Sequence, residues 1–196
     1  MAYFPMFVNL KDQPCLVVGG GTVAYRKVNV LLEFEARVVV VGENICDEIY
    51  EIAKKSNRLE LQKKCFEDAD CDNMFMVVAA TDDKMLNHHI AEICNSKNIM
   101  VNAVDQKEDC SFIFSSYIKE KNLIAAFSSG GNSPVLTQYL KSREKEILTP
   151  FLGELNEYMG KIRKHVIENY DTEEKRKEIF QKIINRAIEN GELPQE

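Results

Sequence analysis

The feature that most constrains this chain is a run of three glycines, Gly19-Gly20-Gly21, set between two patterns of apolar residues. The four residues before it, Cys15-Leu16-Val17-Val18, are all apolar, which is typical of a buried strand. The residues after it repeat at helical spacing, at Val23, Lys27, Val28, Leu31 and Leu32. The sequence therefore predicts a strand, a tight glycine turn and a helix in that order.

Strand and helix patterns continue to alternate after this turn. Further strands are predicted at residues 36–41, 59–62, 74–80 and 99–102. Amphipathic helices are predicted between them, with apolar faces formed by Ile45, Ile49 and Ile52 and by Leu86, Ile90, Ile93 and Cys94. This βαβ alternation is the signature of a parallel, doubly wound α/β sheet, so we predict a Rossmann-type domain over residues 1–112.

The pattern then changes to short strands followed by helices. Residues 111–114 and 123–127 have strand character and flank a polar stretch at 119–122, which predicts a hairpin. Three helices are predicted to begin at capped positions near Pro134, Pro150 and Glu173. We therefore predict a small strand-containing middle region over 113–148, for dimerisation and substrate binding, and a C-terminal helical domain over 149–196.

The last two predicted helices have apolar stripes that need a partner surface. The first stripe consists of Phe151, Leu155, Tyr158, Met159, Ile162 and Val166, and the second of Ile179, Phe180, Ile183, Ile184, Ala187 and Ile188. Such helices fold back as a small domain or pack against a second subunit. We expect both together, in a homodimer.

Charge and composition exclude several classes of protein. The net charge of −6 argues against general nucleic-acid binding, which needs a concentrated basic face. No apolar run approaches the roughly 20 residues of a membrane span, and the first residues lack the features of a signal peptide. The six cysteines never form a C-x-x-C pair, so we interpret them as structural thiols and expect no resident metal. We expect a soluble, cytoplasmic protein.

The glycine turn also matches a dinucleotide-binding motif. Gly19, Gly21 and Ala24 fit G-x-G-x-x-G/A between a strand and a helix. In that motif the first glycine allows the tight turn and the second lets the backbone approach a pyrophosphate. The phosphates face the N-terminus of the helix, here Thr22 and Val23. The sequence predicts dinucleotide binding, with NAD as the expected cofactor; the alternative is a purely structural glycine turn.

Three further residues are candidates for the cofactor site because they follow predicted strands. Glu43 comes after the second strand, where an acid meets the adenosine ribose, and no arginine stands beside it, which favours NAD over NADP. Thr81 and Asp82 end the fourth strand at the carboxyl edge of the sheet, where α/β folds bind their ligands. The alternatives are a solvated loop for Glu43 and a helix N-cap at Asp82 or Asp83.

Asp105 is the candidate catalytic residue. It follows Val101-Asn102-Ala103-Val104, so we expect it just beyond the carboxyl end of a central strand, near a nicotinamide ring. A carboxylate there can act as a general base, and the alternative is a turn-forming aspartate. The adjacent His88 and His89 point to different faces of a helix, which does not suit a metal pair.

Several of these segments occur in an order that resembles a known family. They are Phe4-Pro5-Met6-Phe7 with Leu10, Cys15 to Gly21 with Arg26-Lys27, Ala79 to Asp83, Val101-Asn102 with Asp105, Cys110-Ser111-Phe112-Ile113, and Ser128 to Pro134. Their succession resembles the precorrin-2 dehydrogenase family, the dehydrogenase and ferrochelatase part of siroheme synthase. The resemblance extends from the N-terminus to about residue 148, and the helical tail is similar in kind.

The resemblance implies a reaction and a site. Members of the family oxidise precorrin-2, a tetrapyrrole, to sirohydrochlorin with NAD, and some also insert ferrous iron into the product. Asp105 matches the family's key aspartate. Ser129 matches a polar position that faces the tetrapyrrole, although simple loop capping is the alternative. The family also implies a homodimer with interlocking C-terminal helices, and we expect no methyltransferase domain of the kind found in fused siroheme synthases.

Three positions depart from the family's pattern. Ser115 and Lys107 stand where proline is common, and Gly42-Glu43 replaces a common Ala-Pro. These departures affect the expected loop shapes around the active site and the ribose contact of Glu43. They leave the proposed base, Asp105, in place.

The sequence leaves alternative functions open. One is precorrin-2 dehydrogenation alone, and another is a bifunctional dehydrogenase and ferrochelatase that uses the same Asp105 for both steps. Handling of cobalt in place of iron is open for the same reason. A second class of function is non-enzymatic: a Rossmann module that senses the redox state of NAD.

Overall fold

The chain forms two compact units, which divide between Phe114 and Ser115 in a computed structural model that describes residues 3–194. The predicted boundary after residue 112 lies close to this division. The second unit contains residues of both regions predicted over 113–148 and 149–196. The separate roles assigned to those two regions stay predictions.

The first unit is a parallel five-stranded sheet with helices on both faces. Its strands, in the spatial order β3-β2-β1-β4-β5, are β1 (Pro14–Val18), β2 (Arg37–Val41), β3 (Leu59–Gln62), β4 (Met76–Ala79) and β5 (Met100–Ala103). Its α-helices are α1 (Thr22–Glu33), α2 (Asp47–Ala53) and α3 (Lys84–Ser96), and two 3₁₀ helices span Asp68–Cys71 and Lys107–Asp109. The predicted Rossmann-type α/β fold is confirmed.

Burial on both faces of the sheet explains why its strands are apolar throughout. Cys15 and Val17 of β1 pack in the cluster that contains the buried side chains of α1 and α2. Leu16 and Val18 point the other way and pack with the buried side chains of α3. Each fully buried Val or Leu stabilises the fold by about 1.5–3 kcal/mol relative to an exposed one.

The strand before Asp105, β5, lies at the edge of the sheet, so the prediction of a central strand was wrong. Ser111 covers this edge next to Val101. The Ser111 N–H donates to the Val101 carbonyl at 2.9 Å, and the Ser111 hydroxyl accepts from the Val101 N–H at 2.8 Å. Because these bonds satisfy the edge of β5 locally, no further strand is needed beside it.

The strand predicted at residues 111–114 was also wrong, since these residues form no strand in the described structure. Their apolar side chains serve packing instead. Phe112 and Phe114 lie against the cluster on the α1 side of the sheet, with their ring centroids 5.2 Å apart. The Lys27 Nζ lies 3.7 Å from the centroid of the Phe114 ring, a cation–π contact.

The second unit combines an antiparallel hairpin with three helices. The elements are β6 (Ser116–Glu120), β7 (Leu123–Phe127), α4 (Pro134–Glu144), α5 (Pro150–Asn169) and α6 (Glu173–Asn190). Glu120 pairs with Leu123, so the hairpin turns at Lys121-Asn122 and not over the whole predicted stretch at 119–122. The three predicted helix starts are confirmed. Among residues 3–194, no helix is both long enough and apolar enough to cross a membrane.

Helix α5 lies in close contact with the hairpin at Gly153. A Cβ atom on Gly153 would lie 2.8 Å from the carbonyl oxygen of Glu120, closer than real Cβ contacts allow. Gly160 lies in the same helix but is exposed, and a Cβ there would meet no described atom within 4 Å, the helix's own nearby backbone aside. The two glycines therefore have different reasons to be present.

We expect Gly153→Ala to lower the free energy of unfolding by about 1–3 kcal/mol, because the added methyl group forces α5 away from the hairpin. Gly160→Ala is the matched control, and it should raise the free energy of unfolding by about 0.5–1 kcal/mol because alanine restricts the unfolded chain more. Denaturant unfolding of both variants measures the difference. Equal effects of the two substitutions would contradict the close contact at Gly153.

Candidate functional site

A cleft of about 930 Å³ opens at the carboxyl ends of the strands in the first unit. It includes the ends of β1 and β4, between which the strand order reverses, and open α/β sheets bind their ligands at such a point. Eight residues predicted for the cofactor and for catalysis line it, namely Gly19, Gly21, Thr22, Val23, Glu43, Thr81, Asp82 and Asp105. The structure thus brings them together, while their individual roles stay predictions.

The three glycines of the turn contribute differently to this cleft. Gly19 has a φ of +111°, and a Cβ there would lie 2.3 Å from the Ala80 carbonyl oxygen. A Cβ on Gly20 would lie 2.2 Å from the Asn44 carbonyl oxygen. Gly21 lines the cleft, and a Cβ on it would meet no described atom within 4 Å. The close backbone contacts require the first two glycines, whereas the third leaves open space in the cleft.

The N-terminus of α1 is suited to an anion. Gly21 is its N-cap, and no side chain of a described residue accepts a hydrogen bond there. The first turn, Thr22 to Ala24, is uncharged, and the first helical bond of the helix runs from the Tyr25 N–H to the Gly21 carbonyl at 2.9 Å. The backbone N–H groups before Tyr25 are therefore available to a phosphate, which the positive end of the helix dipole also attracts.

Glu43 lies in the cleft beyond the end of β2, next to Cys65 from the loop after β3. The Cys65 thiol donates a hydrogen bond to the Glu43 carboxylate, which raises the pKa of Cys65. Lys64 also lines the cleft, but its ammonium group is paired with Asp70 at 2.7 Å and Glu67 at 3.2 Å. Glu43 thus keeps a carboxylate in the region where an adenosine ribose binds in this fold.

Thr81 and the residues after it are organised by a buried asparagine. The Thr81 hydroxyl donates to the Asn87 Oδ1 at 2.7 Å, and the Asn87 Nδ2 donates to the Thr81 carbonyl at 2.9 Å. Asp83 is the N-cap of α3 and accepts from the Met85 N–H at 2.8 Å. This resolves the open choice of N-cap in favour of Asp83 and leaves Asp82 exposed at the cleft.

Asp105 lies in an exposed turn after β5 and lines the same cleft. Its φ of +59° is the left-handed conformation, which aspartate and asparagine adopt more readily than most residues. The turn is tied to the neighbouring strand by the Val104 N–H, which donates to the Ala79 carbonyl at 2.9 Å. Asp105 therefore both forms the turn and lines the cleft.

Ser129 belongs to the second unit, between β7 and α4. Its hydroxyl accepts a hydrogen bond from the Ser133 N–H at 2.9 Å. This contact is the loop capping that was the alternative to substrate binding. A role towards a tetrapyrrole stays a prediction.

Several residues of the cleft were missed by the sequence analysis. Asn87 is a polar residue on the buried face of α3, and this break in the apolar pattern was a usable signal. Lys64, Cys65 and Phe66 follow β3, and their signal was their position after a strand of a parallel sheet. Among residues 3–194, no three His, Cys, Asp or Glu side chains are grouped to hold a metal ion.

We expect Gly21→Ala to weaken NAD binding by at least about tenfold while the free energy of unfolding changes by no more than about 1 kcal/mol. The added methyl group would meet no described atom within 4 Å apart from its chain neighbours, and it would occupy space that the pyrophosphate needs. Gly20→Ala is the contrasting variant, and it should destabilise the fold itself because of the contact with Asn44. Calorimetric titration gives the NAD affinity of each variant, and thermal unfolding gives its stability. Unchanged NAD affinity in Gly21→Ala would argue against a pyrophosphate at this turn.

Comparison with known proteins agrees with the predicted resemblance. The chain is 41% identical over 188 residues to a siroheme synthase of Thioalkalivibrio sulfidiphilus, covering 96% of this chain and 38% of that protein. It is 37% identical over 197 residues to a siroheme synthase of Mannheimia succiniciproducens, covering 98% of this chain and 41% of that protein. The chain spans about two fifths of the length of these curated relatives.

The fold and a family model give two further matches. A solved structure, SirC, a precorrin-2 dehydrogenase, is similar with a TM-score of 0.76 and 26% sequence identity, over 94% of this chain and 91% of that one. The model of a family described as putative NAD(P)-binding matches residues 6–116, which include the whole cleft. The chain therefore belongs to the putative NAD(P)-binding family.

Proposed function

We propose that this chain is an NAD-dependent dehydrogenase that oxidises precorrin-2 to sirohydrochlorin in siroheme synthesis. The observation that carries the proposal is that Asp105 lines the same cleft as the glycine turn and the N-terminus of α1. Similarity to SirC over nearly the whole chain and to part of the siroheme synthases supports it.

The residues of the cleft fit a dinucleotide. The open side of Gly21 and the uncapped N-terminus of α1 suit the pyrophosphate, and the exposed Glu43 suits the ribose hydroxyls. NAD supplies the acceptor for a hydride when it is bound. Thr22 and Val23 provide backbone N–H groups, and Asp82 adds a carboxylate at the end of β4.

The oxidation removes a hydride and a proton from the tetrapyrrole. The hydride leaves a carbon atom with its electron pair, and the proton needs a base near the reacting atoms. The Asp105 carboxylate is exposed at the cleft and can accept this proton. Its place at the end of β5, beside the end of β4, sets it apart from the pyrophosphate turn, as the two ends of a dinucleotide require.

Within the same proposal the protein is a homodimer. Four apolar side chains on one side of α4 are exposed to solvent, namely Val135, Leu136, Tyr139 and Leu140. Val135 is 79% exposed and Tyr139 is 59% exposed. Such a contiguous apolar stripe on a helix is characteristic of a surface that a partner covers, and we assign it to a second copy of the chain.

Two further parts of the proposal are a cytoplasmic location and ferrous iron as the metal of a second reaction. The described cysteines are all free thiols, which suits a reducing compartment. Ferrous iron would enter as a substrate of a second step, after sirohydrochlorin has formed. Addition of ferrous iron to an anaerobic assay of precorrin-2 oxidation decides whether the enzyme is also a ferrochelatase.

We expect Asp105→Asn to lower kcat for precorrin-2 oxidation by about 10²-fold or more, because the amide cannot accept the proton. Asparagine tolerates the left-handed φ of this position, so the variant should fold as the wild type does and bind NAD with unchanged affinity. Asp12→Asn is the matched control, since Asp12 also has a positive φ but does not line the cleft. The measurement is the kcat of precorrin-2 oxidation with NAD, without oxygen, for the wild type and both variants.

The outcomes of this assay separate the candidate functions. Full activity of Asp105→Asn would show that Asp105 is not the base. A wild-type protein that binds NAD and never oxidises precorrin-2 would contradict the dehydrogenase and favour an NAD-sensing module.

We expect the wild-type protein to have twice its chain mass of 22.4 kDa in solution, and Tyr139→Glu to shift it towards the monomer. A buried charge at the centre of an apolar interface is costly because it loses its hydration. Gln138→Glu introduces the same charge on another side of α4 and should leave the dimer intact. Light scattering after gel filtration measures the masses. A monomeric wild-type protein would contradict the proposed dimer.

A further inference from the structure

The turn that carries Asp105 is held from inside by Cys110, a residue to which the proposed reaction assigns no task. The Cys110 Sγ lies 3.2 Å from the carbonyl oxygen of Ala103 and 3.3 Å from that of Gln106. These two carbonyl groups lie on either side of Asp105 in the chain. A single S–H group, shared between them or alternating, therefore ties both ends of the turn to one point.

The turn needs such support because its own backbone bonds are few. Asp105 adopts a left-handed conformation that costs most non-glycine residues about 1–2 kcal/mol. The Gln106 N–H bonds back to the Ala103 carbonyl across a long 3.3 Å. The side chain of Asp105 is exposed, so its position depends on the backbone that carries it.

The thiol is itself fixed in place by a buried side chain. Asn102, in β5, is 8% exposed and donates from Nδ2 to the Phe112 carbonyl at 3.1 Å and to the Cys110 Sγ at 3.5 Å. Burial raises the pKa of Cys110, so the sulfur keeps its proton and remains a donor at neutral pH. The connection thus runs from the sheet, through Asn102 and Cys110, to the two carbonyl groups that flank Asp105.

A second connection holds the outer side of the same turn. The Gln106 Nε2 donates to the Lys84 carbonyl at 3.1 Å and to the Asp109 carboxylate at 2.9 Å. Asp109 in turn lies 2.8 Å from the His88 Nδ1. This connection ties the Gln106 side chain to α3, whereas Cys110 ties the backbone to β5, so neither replaces the other.

We propose that Cys110 is a positioning residue that keeps the Asp105 carboxylate at the cleft by donating its S–H to the carbonyl groups on both sides of Asp105. For catalysis this inference rests on the proposed function. Its structural half, that the thiol restrains the turn, can be measured without any substrate. Loss of the donor leaves the nucleotide-binding half of the cleft untouched and lets the carboxylate move, and small displacements of a catalytic group are costly in rate.

Three variants test the inference. Cys110→Ala removes the donor, and Cys110→Ser retains a hydroxyl donor at the same position. Cys46→Ala is the matched control, since Cys46 is also half-buried but stands as the N-cap of α2, where its thiol makes no cap hydrogen bond with a described residue.

The first measurement is amide hydrogen exchange over residues 103–110, with residues 76–79 of β4 as the internal reference. We expect Cys110→Ala to speed exchange in the turn about fivefold, the factor that loss of a hydrogen bond of ordinary net strength gives. Cys110→Ser and Cys46→Ala should remain within about twofold of the wild type. Unchanged exchange in Cys110→Ala would overturn the inference, and so would equal acceleration in β4, because the effect would then be global loss of stability.

The second measurement is precorrin-2 oxidation by the same proteins. We expect kcat to fall about tenfold in Cys110→Ala and to recover in Cys110→Ser, while the Kd for NAD stays the same in all of them. Equal loss of kcat in the alanine and serine variants would overturn the donor role. A wild-type protein without this activity would contradict the proposed function, whereas the exchange measurement would still decide whether Cys110 restrains the turn.

Discussion

The close contact of the Gly19-Gly20-Gly21 turn with two neighbouring loops is the constraint on which the rest of the site depends. Gly19 lies against the Ala80 carbonyl at the end of β4, and Gly20 lies against the Asn44 carbonyl after β2. A side chain on either residue would push these segments apart. Because the turn fits between them, α1 begins at the carboxyl edge of the sheet and directs its free N–H groups into the cleft.

Several polar side chains around the cleft are occupied by the protein itself, which limits what remains for a ligand. The Asn87 amide bonds to both the hydroxyl and the carbonyl of Thr81, and Asp83 caps α3. Lys64 is paired with Glu67 and Asp70. Asp82 and Asp105 are exposed at the mouth of the cleft. The division is physically sensible, since groups that hold the walls must be satisfied internally and groups that do chemistry must reach the substrate.

The fold of the first unit was largely predictable because its strands are buried on both faces and its helices have one apolar face each. The segment 111–114 was misread since Phe112 and Phe114 are apolar for packing, and the hydrogen bonds of Ser111 to Val101 leave no trace in periodicity. The edge position of β5 was missed because a run of apolar residues carries no information on strand order. Periodicity likewise cannot reveal that Cys110 reaches back to the Asp105 turn.

The site residues that directly follow strands could be predicted from the sequence. Glu43, Thr81, Asp82 and Asp105 all follow strands, and the ends of parallel strands meet at one edge. Asn87 acts through a short-range contact between the end of β4 and the first turn of α3, and Cys65 through a contact with the loop after β2. Both contacts depend on the folded backbone, which periodicity does not describe. The placement of Ser129 in the second unit leaves its assignment to the tetrapyrrole dependent on experiment.

We propose that this cleft is where a hydride passes from precorrin-2 to NAD. The most direct test is to follow NADH and sirohydrochlorin together, without oxygen, after mixing the wild-type protein with precorrin-2 and NAD. Because each hydride removed from precorrin-2 reduces one NAD, we expect both products to appear with the same time course and in equal amounts. Sirohydrochlorin without NADH, or neither product despite bound NAD, would contradict it.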